Sequence, residues 1–467
     1  MNIIKEYKTI LYVIFWTILW TNINVDFFII LNFGNNPIDN VNGIRALFPV
    51  LILSVLIIYL LFNNYLIKFL DKKNIYLIFL LFFVCQIIGS IGNLNNILTL
   101  NKYTVIQAFG LIISSTTSIL LIYLVHNEKN KKFEKYLVYS SIIILSIYFI
   151  PILINLMWKY SLSPNIYAYH ETLIQEFSRD FLKLPISRST GISRSIIIIS
   201  IFLLCFNSFK NNKIKNLIHF IIFLLTTSVF LINSKFAITA LVIIYSLIIF
   251  TNSLYKNNKI KFLVIHILIP FFVSLIIINA KVNIHSDDNK KPILDLKIKN
   301  RFIDDFYAAT GISSGRKEIW IKSINIFITE KRYLFGLGAQ ADRLYLISYV
   351  GTEEHKIKDA ILSANSSNAI LYSLLSGGII SVIVLILFNY ILLIRVYKYF
   401  FIRSKKYNFN YNLLNFSIFT YLFLLLRSLV ENSFALFSID FLIYLQCCMI
   451  IMKNINFNYK NKISLSK

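Results

Sequence analysis

Apolar runs of about 20 residues recur along nearly the whole chain, the length that crosses a hydrocarbon core of about 30 Å at 1.5 Å per residue. Twelve can be marked, near 9–31, 44–62, 75–92, 104–125, 137–156, 193–208, 217–233, 236–254, 262–279, 365–394, 411–428 and 436–452. Runs of this length read as helices, because a helix satisfies its own backbone where no water is available. The first is interrupted by Thr21, Asn22, Asn24 and Asp26, which mark it as the span most prone to tilt or break. The 467 residues are 57% hydrophobic and 15% charged, against about 25% charged in a soluble domain. That balance excludes a soluble enzyme, a disordered chain and a disulfide scaffold. The expected fold is an all-α polytopic membrane protein with about twelve transmembrane helices. Cys85, Cys205, Cys447 and Cys448 all fall within apolar runs and have no metal-site spacing, so they read as buried thiols.

A net charge of +25 raises nucleic acid as a partner, but the cations sit in short segments between apolar runs, where topology and anionic lipid require them. Segments on the side of the N-terminus hold 24 Lys and Arg, whereas the four short loops opposite hold only Lys102 and Lys235. The positive-inside rule then makes the first side cytoplasmic, with both termini inside. A lysine-flanked apolar run at the N-terminus without a small-residue cleavage site reads as the first span rather than a removed signal. Two long segments fall outside, 157–192 and about 280–364. Connections of that length are generally functional. The organisation is therefore nine spans over 1–279, a large external loop over 280–364, and three spans with a cytoplasmic tail over 365–467. The loop itself is expected to carry an amphipathic helix.

Arginine is distributed unevenly. Only Arg395 and Arg403 lie among the inside cations, whereas the other nine, including Arg188, Arg194, Arg316 and Arg427, lie outside or at external helix ends. A guanidinium matches phosphate with a planar fork and desolvates more cheaply than an ammonium, so this bias points to an external site for a phosphate or diphosphate. The alternative is structural pairing with Asp180, Asp304, Asp305 or Glu431.

The richest external stretch is Thr310-Gly-Ile-Ser-Ser-Gly-Arg-Lys-Glu-Ile-Trp320. Ser314 or Gly315 can cap a helix over 315–330, with Trp320, Ile324, Phe327 and Ile328 forming an apolar stripe. Arg316 falls in its first turn, where free N–H groups favour anions, and Trp320 reads as an interfacial anchor. Gly311-Ile-Ser-Ser-Gly315 matches a nucleophile elbow in letters only, since no strand precedes it. Gly336-Leu-Gly338-Ala-Gln-Ala341 lacks the βαβ context of a dinucleotide site and reads as a tight turn. Arg427 and Glu431 stand at i and i+4 beside Asn432, either as an ion pair or with Glu431 as a base. No Walker loop, His-Glu-x-x-His or Asp-x-Asp is present.

The order of these stations resembles the bacterial O-antigen polymerase and O-antigen ligase superfamily. The matching residues are Arg188-x-x-Gly191, Ser234-Lys235, Gly315-Arg316-x3-Trp320, Phe335-Gly336-Leu-Gly338 and Ser367-Asn368-x9-Gly378. In the ligases the last station begins His-Asn; here Ser367 stands in place of the His, which counts against a ligase. The resemblance implies a metal- and cofactor-independent glycosyltransferase at the periplasmic face of the inner membrane. It would join oligosaccharide repeat units carried on undecaprenyl diphosphate, with a chain-length regulator as a further partner and no nucleic acid. Arg188, Arg194 and Arg316 would hold the diphosphate, supported by Lys235 and Arg427. Ser367 and Asn368 would orient the acceptor, and Trp320 and Gly338 would contact glycan; either His355, Glu431 or another group would supply a base, or the diphosphate leaving group would make a strong base unnecessary. The competing expectations are a ligase that transfers glycan to lipid A core and a flippase for lipid-linked oligosaccharide.

Overall fold

In the computed structural model, residues 12–19, 76–95, 102–127, 135–147, 189–206, 212–232, 235–251, 259–284, 316–348, 366–401, 411–431, 434–435 and 438–455 are described. Among them every regular element is helical and there is no strand. The helices are α1 (12–19), α2 (Tyr76–Gly92), α3 (Lys102–Asn127), α4 (Lys135–Ile147), α5 (Ser189–Cys205), α6 (Asn212–Ile232) and α7 (Lys235–Thr251). After them come α8, running as Lys259–Leu263, a π turn over Val264–Leu268 and Ile269–Ile284, then α9 (Arg316–Glu330), α10 (Ala341–Ser348), α11 (Ala369–Phe401), α12 (Tyr411–Ser428) and α13 (Ile439–Asn454). These follow the apolar runs closely; of the twelve expected spans, only 44–62 lies wholly outside the described residues. Lys213–Ile232 and Ala369–Phe400 are long and apolar enough to cross a membrane, by length and composition.

The chain divides into two units, one of Met1–Val138 with Gly315–Lys467 and one of Tyr139–Ser314. In the first, α2 packs most extensively on α11, and α12 pairs with α13. Aromatic side chains join the helices: Phe79 of α2 stacks on Phe388 of α11 at 4.7 Å, and Phe83 meets Phe441 of α13 edge-on at 5.8 Å. Asn389, in the middle of α11, accepts from Tyr444 at 2.8 Å and from Tyr421 at 3.2 Å, tying three helices through one amide. In the second unit α6 packs on α5 and α8, and His219 of α6 meets His266 of the π turn at 3.0 Å.

Large apolar side chains lie on the surface as well as in the core. Leu81, Val84, Ile88 and Ile91 of α2 are exposed, as are Ile379, Ile383, Ile386, Tyr390 and Tyr397 of α11. Small polar residues are buried instead, and Ser114, Ser115 and Ser118 return their hydroxyls to the carbonyl four residues back. That bond lets a hydroxyl sit in an apolar helix without an unpaired donor.

α9 forms where expected, but its buried side is Ile319, Ser323, Ile326 and Phe327, packed toward Leu337, Ala341, Tyr345, Leu346 and Leu375. Ile324 and Ile328 of the expected stripe are exposed, and with Ile321 they form a second apolar face. The helix has apolar residues on two sides, so periodicity alone did not select the one that packs.

Candidate functional site

α11 is not one continuous helix. At Gly378 the backbone takes φ 69° and ψ −168°, a conformation open to glycine and costly for other residues. The break removes intrahelical partners, and the segment after α9 supplies replacements. Leu337 and Gly338 donate to the carbonyls of Leu375 and Ser376 at 2.7 and 3.0 Å, while Ile379 donates back to the Tyr333 carbonyl at 2.8 Å. The segment from Tyr333 to Gly338 is therefore built into the break, satisfying backbone that apolar surroundings would leave costly.

The glycines make this approach possible. Gly336 and Gly338 take φ +66° and +101°. A Cβ at Gly338 would lie 2.6 Å from the Cα of Ser90, and one at Gly89 would strike the Phe335 carbonyl. On α2, Ser90 Oγ accepts the Ala339 N–H at 3.0 Å, and Asn93 donates to the Leu337 carbonyl at 3.0 Å. Arg332 Nη1 reaches the Gly92 carbonyl at 2.5 Å, a cation at a helix C-terminus. One of the arginines expected outside thus has a structural task.

Beyond the loop, α10 places Asp342 in the interior, 1% exposed. Its Oδ2 accepts from both the N–H and the hydroxyl of Ser366, at 2.9 and 3.0 Å. That bond fixes the turn before α11. Ser367 follows, half-buried with φ +46°, and Asn368 caps the helix. The Asn368 Oδ1 accepts from Ile370 and Leu371 at 2.8 and 3.1 Å, and its Nδ2 donates to the Leu429 carbonyl just past α12 at 2.8 Å. Nearby, Arg427 Nε lies 3.0 Å from Asp440 Oδ2 on α13, with both side chains nearly buried. Glu431 is half-buried, and its N–H bonds the Arg427 carbonyl at 2.9 Å.

Several of the sequence stations thus meet in the first unit: Gly338 with the loop, Ser367 and Asn368 at the start of α11, Gly378 at its break, and Arg427 with Glu431 at the end of α12. Trp320 on α9 is half-buried, and its indole N–H is buried without a hydrogen bond among the described residues. Arg316 opens α9, in line with the expected helix start. Arg194 and Lys235 belong to the second unit: Arg194 is half-buried on α5, with its guanidinium 3.4 Å from Ser195 Oγ, and Lys235 opens α7. Arg188, Ser234 and His355 lie outside the described residues. Asp342, Ser366, Ser90, Asn93 and Asp440 were not singled out from sequence; an acid directly after a glycine turn and an acid in the first turn of the last helix were the available signals.

Compared with known proteins, the chain matches no family model, no curated protein and no solved structure.

Proposed function

We propose that this chain is a polytopic inner-membrane protein of about twelve spans with cytoplasmic termini. In this reading it polymerises undecaprenyl-diphosphate-linked oligosaccharide repeat units on the periplasmic side, without a metal. The membrane part is supported by the large apolar side chains that α2 and α11 expose, an arrangement matched to lipid rather than water. The enzymatic part is supported chiefly by the backbone hydrogen bonds that seat Phe335–Gly338 in the break at Gly378, on the helix that Ser367 and Asn368 open.

In this reading the acceptor hydroxyl attacks the anomeric carbon of the donor sugar as the bond to diphosphate breaks. Negative charge gathers on the departing diphosphate, and preorganised cations in a dry site stabilise it. The resemblance assigns that task to Arg188, Arg194 and Arg316 with Lys235, and gives Ser367 and Asn368 the acceptor. Arg427 contributes through its pair with Asp440, which fixes α12 against α13. Trp320 and the Gly338 turn border the glycan.

The broken helix α11 favours a second reading, because transporters build midplane sites at interrupted helices; this is the flippase. Deleting the gene separates the possibilities on a glycan gel. Single-unit glycans with core-plus-one-unit lipopolysaccharide retained are the expected result. Complete loss of attached glycan would indicate a ligase, and accumulation of lipid-linked units facing the cytoplasm a flippase. Complementation with Arg316→Lys is expected to leave only single units, because the charge stays and the fork is lost. Normal long chains from that variant would refute a bidentate role.

A further inference from the structure

Three buried side-chain atoms at the junction of the loop with α2 and α11 carry no hydrogen bond among the described residues: Gln86 Nε2, Gln340 Oε1 and Ser376 Oγ. Their residues are 1%, 4% and 0% exposed. They come from three elements, α2, the glycine loop and α11, and their residues border one phenol. The Tyr372 hydroxyl donates to Gln86 Oε1 at 3.1 Å. The Ser376 side chain, the Gln340 backbone and the Asp342 carboxylate lie close to the same hydroxyl. Gln340 is also held at φ +60°, a left-handed conformation unusual for a residue other than glycine.

Native proteins pair nearly all their buried polar groups, and exceptions call for an explanation. Here the three atoms form a defined complement. The Gln86 amide offers an N–H, the Gln340 amide offers a carbonyl, and the Ser376 hydroxyl does either. A group that both accepts and donates fits all three, which describes an alcohol hydroxyl. An anion does not fit, because Gln340 Oε1, Gln86 Oε1 and the Asp342 carboxylate would all oppose it. A cation does not fit either, because the Gln86 N–H would face it. The phosphate chemistry attributed to the arginines therefore belongs elsewhere.

We propose that Gln86, Gln340 and Ser376 form a subsite for one hydroxyl of the glycan substrate, adjoining the Gly336–Gly338 turn. The assignment rests on the glycosyltransferase reading and deepens it by adding a neutral contact that reads the sugar. Water offers the same chemistry, and the test separates the two sources.

Gln86→Leu, Gln340→Met and Ser376→Ala are expressed as full-length chains in a host lacking its own copy. Membrane protein level, the melting temperature of the purified protein and the glycan ladder made from the host's own lipid-linked units are measured. If the subsite takes a sugar hydroxyl, Gln340→Met and Ser376→Ala accumulate normally and melt no lower than the parent, since each removes an unpaired atom, whereas Gln86→Leu also takes the acceptor from the Tyr372 hydroxyl and is read on its ladder alone. Long chains nevertheless fall more than tenfold. A normal ladder at normal protein levels overturns the proposal. So does a fall in melting temperature in both Gln340→Met and Ser376→Ala, which would mark the atoms as holding structural water. Should Gln86→Leu fail to accumulate, Ser376→Ala, which removes one atom, decides by the same criteria. A deletion strain with an unchanged ladder would overturn the glycosyltransferase reading along with the subsite, whereas a collapsed ladder there with normal variants overturns the subsite alone.

Discussion

Arg427 shows how far a single residue can be read before its neighbours are known. The i, i+4 rule on a helix pointed to Glu431; the structure shows a partner that the rule does not reach, Asp440, 3.0 Å from Arg427 Nε and thirteen positions later on the next helix. Helical spacing sees one element only, and a buried guanidinium is governed by whatever carboxylate tertiary packing delivers. Asp342 is a similar case: its letter was in view, but its partner Ser366 lies 24 positions on, and no periodicity links them. Asn368 was legible as a station, whereas its use of both amide ends for capping and for the Leu429 carbonyl was not. Breaking a buried ion pair leaves one charge stranded, at about 3–5 kcal/mol, whereas replacing both partners by apolar residues is often neutral. Asp440→Leu alone is therefore expected to lower stability by about that amount, and Arg427→Met combined with Asp440→Leu to recover most of it. Reversible unfolding of the purified protein in detergent is the measurement; a double variant as unstable as the single one would show that the pair is not the unit.

At the scale of elements, the long apolar runs located the described helices, with ends displaced by up to seven residues, because length and hydropathy decide the presence of a helix but not its caps. What they could not show was the break in α11, since Gly377-Gly378 inside an apolar run is tolerated in a straight helix as well. Nor could they show which side of α9 packs, because both sides are apolar. The break is sustained by its hydrogen bonds to the loop, so the two should fail together. Gly378→Ala would put a methyl group on the Leu334 carbonyl at a φ of 69°. Hydrogen exchange by mass spectrometry is expected to show amides in peptides covering 333–339 and 375–381 speeding up in parallel, while those of α13 stay protected. Faster exchange in only one of the two peptides would contradict a shared clasp.

For the molecule as a whole, orientation came from the lysine distribution, a property of the full chain that no single segment displays. The test uses the thiols. Cys85, Cys205, Cys447 and Cys448 are free and buried, so the parent protein should be silent to a membrane-impermeant maleimide. A cysteine introduced at Ser363, in the long loop, is expected to label in intact cells, whereas one at Asn130 or Ser464 should label only after lysis. Labelling of Asn130→Cys in intact cells would invert the topology and move the proposed chemistry to the wrong compartment.

The bonds from Asp342 to Ser366 also bear on how such a chain can diversify. They pin the two ends of the stretch 343–365 to one point, so its length is decoupled from the clasp beneath it. Doubling a tether closed in this way adds only about 0.6 kcal/mol of closure entropy, so residues inserted there leave the scaffold standing.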